Sequence, residues 1–224
     1  MKTSKYLTTQ ITFLLFCVIP IFRWHDVAAQ DWNYLIGFNA SSFRYQSPTG
    51  LDLNSFQPDA GLHLSISRNA FLIDSSKTKS KFLRRLNFQT GLSFNQFNSL
   101  GENLFIPFSY TSTYAGIKLG LGMKSSIGRG YYVQYGTILQ ANKLLFGSQK
   151  TGNLVYNLRG NDQFDPIQWQ AGGELHLAKK VNQQTALFVF ITHVRQLNTA
   201  QNDGSHFAIN PTTFGFGIHY SPLQ

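Results

Sequence analysis

Apolar and polar residues alternate along most of this chain with a period of two. In residues 84–97 (R-R-L-N-F-Q-T-G-L-S-F-N-Q-F), Leu86, Phe88, Leu92 and Phe94 share one face with Thr90. Arg85, Asn87, Gln89, Gly91, Ser93 and Asn95 share the other. An extended strand sends successive side chains to opposite faces, so the pattern predicts a two-faced strand. The same alternation predicts strands over 32–43, 59–67, 110–124, 131–144, 167–178, 185–197 and 212–221. Its apolar faces carry, for example, Ile36 and Phe38, Leu119 and Leu121, and Phe214 and Phe216.

Composition decides which face meets the surroundings. Charged residues make up 13% of the chain, against about 25% for an average globular domain. The polar faces carry Asn, Gln, Ser and Gly rather than dense Lys and Glu. A soluble exterior needs that charge; a narrow lumen filled with side chains does not. The fold expected is therefore all-β: an eight-stranded antiparallel up-and-down transmembrane β-barrel, apolar side out. The inverted alternative is a lipocalin-like soluble barrel. Eight strands enclose a space just wide enough for side chains, which argues against a general diffusion porin.

Residues 1–29 read as a secretory signal. Lys2 and Lys5 precede an apolar run over 11–22, and Val27-Ala28-Ala29 offers small residues before Gln30. The barrel domain is then 30–224. Cys17, the single cysteine, falls inside the signal, so the mature chain is expected to have neither disulfides nor thiol chemistry. The net charge is +9, and +7 once Lys2, Lys5, Arg23 and Asp26 leave with the signal. In a secreted chain such a balance points to lipid phosphates rather than nucleic acid.

Taking the N-terminus as periplasmic, the connections at 45–58, 98–107, 145–166 and 198–211 are expected on the extracellular side. The short turns at 125–130 and 179–184 then fall on the other, as does the longer 68–81 with Lys77, Lys79 and Lys81. The longest connection, 145–166, is the expected place for a protein partner. Trp32, Tyr34, Tyr131 and Tyr220 are expected to girdle one rim, and Phe105, Tyr110 and Trp169 the other.

Candidate chemistry is sparse. Lys118, Glu174, His176, His193 and Arg195 are expected to form a structural polar network in the lumen, since a buried carboxylate needs a cation. The histidines lie on separate strands or loops and lack ligand spacing, so no metal site, cofactor site or catalytic residue is assigned.

The signal ending V-A-A before Gln30, the amphipathic strands and the terminal strand F-G-F-G-I-H-Y-S resemble the small outer-membrane β-barrel proteins of the Bacteroidota, the PorT-like family. That resemblance covers the mature chain and implies location and fold, not an activity. A second resemblance is to lipid A deacylases of the PagL type, in which a His-x-Ser pair on a late strand is followed by Asn-Pro. Here His193 and Asn210-Pro211 are present, but Arg195 stands where the serine would. The expected protein is a non-enzymatic interaction, structural or secretion-accessory barrel of the outer membrane, in contact with outer-membrane lipid or lipopolysaccharide. A lipid A-modifying enzyme and a narrow solute channel are the alternatives.

Overall fold

The structure is a computed structural model that describes residues 30–47, 49, 52–53, 56–71, 80, 82–103, 106–198, 200–202 and 205–222. The expected signal (1–29), with Cys17, and Phe105, Lys77, Lys79 and Lys81 lie outside the described residues.

Alternation becomes strand throughout. The elements are β1 (Gln30–Gln46), β2 (Asp52–Leu53), β3 (Phe56–Phe71), β4 (Leu86–Asn103), β5 (Ile106–Gly128), β6 (Tyr131–Thr151), β7 (Leu154–Asn157), β8 (Gln168–Lys180), β9 (Thr185–Gln196), β10 (Ala200–Asn202) and β11 (Ser205–Tyr220). A short 3-10 turn, Leu83–Arg85, leads into β4.

The expectation of an eight-stranded up-and-down barrel is corrected here. The strands form one eleven-stranded sheet in the order β10-β11-β9-β8-β6-β5-β4-β3-β1-β2, with β7 added on β6. Its path ends at the short strands β10 and β2 rather than running once around eight staves. In addition β1 pairs with β11, from Trp32 opposite Tyr220 to Gln46 opposite His206. Each of the long strands β1, β3, β4, β5, β6, β8, β9 and β11 therefore has a partner on both sides, so no row of backbone groups is left open in the middle of the sheet.

The extra strands arise where loops were expected. Pairing continues beyond the apolar stretches: β4 stays opposite β5 as far as Asn103 and Ile106, and β6 stays opposite β5 as far as Thr151. These outer segments carry polar side chains on both faces, so they lack the period-two signal, yet their ladders are complete. Pro58, Pro107 and Pro211 sit within strands. A proline removes one donor but does not end a strand.

The faces are those expected. The outer surface carries Ile36, Phe38, Leu121, Val189, Phe214 and Phe216, the last 68% exposed. The inner surface carries Asn33, Asn39, Ser67, Gln89, Asn95 and Gln170, all buried.

Glycines on the inner face make room for bulk from other strands. A Cβ at Gly217 would fall against the ring of Phe188. Gly217→Ala is expected to cost about 1–3 kcal/mol by overpacking, read as a lowered urea midpoint. The double variant Gly217→Ala, Phe188→Leu should recover part of that loss; no loss in the single variant would refute the contact.

Candidate functional site

The interior is divided along its axis into three zones. At the end where β1 begins and β11 finishes (the turn end), Leu35, Tyr132, Ala178, Ala186, Phe188 and Phe190 form one buried apolar cluster. At the far end, Phe43, Phe97, Tyr114, Leu144, Leu158, Phe164, Phe207 and Ile209 form another. Between them lies a polar band that holds the Lys118–Glu174 pair.

The centre of that band is an ion pair. Lys118 projects inward from β5 and Glu174 from β8, and the Lys118 ammonium donates to Glu174 Oε2. Lys118 is 3% and Glu174 7% exposed. Inward placement follows from alternation: Gly116, Lys118 and Gly120 share one face, as do Gln170, Glu174 and His176. His176 Nε2 lies 3.5 Å from Glu174 Oε2. That separation is electrostatic contact without hydrogen-bond alignment, since the same nitrogen has no hydrogen-bond partner. Its ring stacks on Phe188 at 4.7 Å and 5°. His63, which alternation places inward but which was not counted in the expected network, joins the band from β3, with Nδ1 2.6 Å from Asn95 Oδ1.

Neutral groups complete the band. Asn142 donates to Gln170 Oε1 at 3.0 Å, and Gln170 donates to the carbonyl of Ile209 at 3.2 Å. Gln89 donates to Ser67 at 2.8 Å. Asn39 donates to the carbonyls of Leu62 and Gln96, both at 3.2 Å, next to the register shift between Asp59 and His63. In a low-dielectric interior, satisfied polar groups hold one arrangement, because an unpaired alternative is costly.

Two members of the expected network are elsewhere. His193 and Arg195 are exposed on the outer face of β9, which corrects their assignment to the lumen. The period of two runs unbroken from Leu187 through Val189, Ile191 and His193 to Arg195, so all point outward. Both stand near the far end of β9, where the outer face changes from apolar to polar: Phe38 gives way to Ser42 and Arg44 on β1, and Phe214 to Thr212 and Asn210 on β11. Charged side chains at such an edge reach water without crossing lipid.

Tyr110 is a second correction. It lies inside, not in a rim girdle, stacked on Phe164 at 5.6 Å and 17°. The register shift between Thr113 and Tyr114 falls on β6, where residue 145 is the extra one, so β5 keeps its phase and Tyr110 shares the inner face with Tyr114, Gly116 and Lys118. Tyr34, Tyr131, Tyr220 and Trp169 do face outward.

The connection 145–166 is also not what its length implied. Its first part extends β6 and turns back as β7. Its second part returns to the interior, with Leu158 and Phe164 buried in the far cluster. Tyr114 donates to the Phe164 carbonyl at 3.3 Å, and Gln168 donates to Tyr114 at 2.8 Å. Lys143 pairs with Asp165 at 2.8 Å. Only the β6–β7 arm stands free, with Leu154, Val155 and Tyr156 exposed.

At the turn end, Asp31 binds His219 Nε2 at 2.9 Å and accepts from Ser221 at 2.6 Å. His219 Nδ1 lies 2.7 Å from Asn33 Oδ1. This cluster ties the first strand to the last. It is not an activated nucleophile, because the Ser221 hydroxyl donates to the carboxylate and stands 3.5 Å from the imidazole. On the outer face, His193 Nδ1 lies 2.9 Å from Thr212 Oγ1. No carboxylate is bonded to that histidine among the described residues. Nor do the described residues contain a group of three His, Cys, Asp or Glu able to hold a metal.

No protein-family model matches the sequence, and no curated protein matches it. Solved structures with a similar strand arrangement include the outer-membrane protein OprG from Pseudomonas aeruginosa, at 10% identity and TM-score 0.43, covering 88% of this chain and 97% of that one. Neisserial surface protein A matches at 10% identity and TM-score 0.39, covering 84% and 97%. Ail, the attachment invasion locus protein of Yersinia pestis, matches in complex with a heparin analogue at 9% identity and TM-score 0.40, covering 85% and 99%. In this chain a polar interior is wrapped in an apolar girdle, and every long strand is paired on both sides. These are the properties of a strand-built outer-membrane protein.

Proposed function

We propose that the protein is a non-enzymatic, non-conducting outer-membrane protein that acts as an interaction or structural element. The observation that carries this reading is the filled interior. Two aromatic clusters bracket a buried ion pair, so side chains occupy the axis from the turn end to the far end. A solute channel would need a wet path past Lys118 and Glu174. The β6–β7 arm, with Leu154, Val155 and Tyr156 exposed beyond the girdle, supports a role in contacting a partner outside the membrane.

A lipid A-modifying activity has less support. The hydroxyl nearest His193 belongs to Thr212, and Arg195 occupies the expected place of the serine. The PorT-like resemblance fits this reading in location, without naming a pathway.

Planar-bilayer recording with the purified protein tests it. Insertion without conductance steps is the expected result. Reproducible single-channel steps would replace this reading with that of a narrow channel.

A further inference from the structure

The two rims of the molecule differ in charge. At the turn end, Arg85, Arg129, Lys179 and Lys180 are exposed, and Lys124 points inward to Asp31 at 3.7 Å. Among the described residues Asp31 is the acid at this end, and it is buried and already paired. The far end mixes the signs: Asp59, Glu102, Asp162 and Asp165 accompany Lys143, Lys150 and Arg159. Among the described residues the turn end is thus a rim of cations without exposed carboxylates to neutralise it.

These cations sit at the edge of the apolar girdle. Lys179 lies opposite Tyr131 in the ladder, and its ammonium stands 5.4 Å from the centre of that ring. Tyr131, Tyr220 and Trp32 mark the same rim. Arg129 occupies the tip of the β5–β6 turn, between two glycines and at a positive φ of 51°. That conformation disfavours side chains, so the turn carries its cation where glycine or asparagine would be relaxed. An amphipathic cation beside an interfacial aromatic ring is placed at headgroup depth.

We infer that the turn-end rim, through Arg85, Arg129, Lys179 and Lys180, binds the phosphates of anionic phospholipid headgroups in the leaflet it meets. The inference rests on the membrane reading given above. Charge complementarity selects the occupant: an acidic headgroup supplies the counter-charge that the rim lacks, and the girdle beside it takes the acyl chains.

The test uses the full-length protein carrying Trp24→Phe and Trp169→Phe, which leaves Trp32 at this rim as its one tryptophan. It is reconstituted into vesicles of mixed phosphatidylcholine and phosphatidylglycerol in which one lipid or the other is brominated. Quenching of Trp32 then reports which lipid sits beside it. The expected result is a preference for phosphatidylglycerol of about fivefold or more. It should be lost when the four cations are changed to glutamine and weakened at high salt. Equal quenching by both lipids would overturn the inference and leave the membrane reading intact. So would a preference that survives the four substitutions. Quenching by neither lipid would overturn both.

Discussion

Lys118→Ala is expected to destabilise the protein by about 3–5 kcal/mol, because it leaves Glu174 as an uncompensated charge in the interior. The carboxylate has few alternatives. His176 Nε2 is 3.5 Å away without hydrogen-bond alignment, and the remaining neighbours are neutral. Glu174→Ala should have a loss of similar size, since it strands the ammonium. The pair as a whole is a different matter. Desolvating two charges offsets much of their attraction, so Lys118→Met with Glu174→Leu is expected to be as stable as the wild type or more stable by up to about 4 kcal/mol. Urea unfolding of the four proteins in lipid vesicles compares them. Single variants as stable as the wild type would mean that water reaches the pair and the interior is not filled as described.

Phe164→Ala is expected to cost about 3–5 kcal/mol, the range for deleting a buried aromatic ring. Phe164 stacks on Tyr110, and its ring centre is 4.6 Å from that of Phe207. Its own carbonyl accepts from Tyr114. Removing it therefore loosens the returning segment and the far cluster together. Conductance is expected to remain absent in this variant, because the polar band and the turn-end cluster still close the axis. With Phe188→Ala and Phe190→Ala added, a leak is expected only once the Lys118–Glu174 pair is removed as well. A leak from Phe164→Ala alone would place the whole seal at the far end. A stability equal to wild type would show that residues 158–165 are not held inside.

How much of this was legible in the sequence varies by element. Residues 86–95 alternate so regularly that strand, faces and direction of exposure could all be read from them. Lys118 and Glu174 were legible as a pair because both fall mid-strand on inner faces, at a similar distance from the adjoining turns. His193 and Arg195 were misplaced because they were assigned inward although they share the parity of Leu187, Val189 and Ile191, and that period puts all five outside. Tyr110 was misread because an aromatic near a strand end suggests a rim girdle, although it lies in phase with Lys118 on an unbroken β5 and its partner Phe164 comes from a distant segment.

The sequence by itself determined which residues form the girdle and which the interior, because a period of two is a local property of an extended backbone. It also determined the scarcity of charge within, and hence the need for each buried ion to find a partner. Only the tertiary structure decided the rest. The β1–β11 pairing, the short strands β2, β7 and β10, and the return of Phe164 into the far cluster all join residues far apart in the chain. Such contacts depend on ladders and packing, which carry no repeating signal along the sequence. The same holds for His63 and for the Asp31–His219–Ser221 tie: each residue is ordinary in its own strand and acquires its role from what the sheet places opposite it.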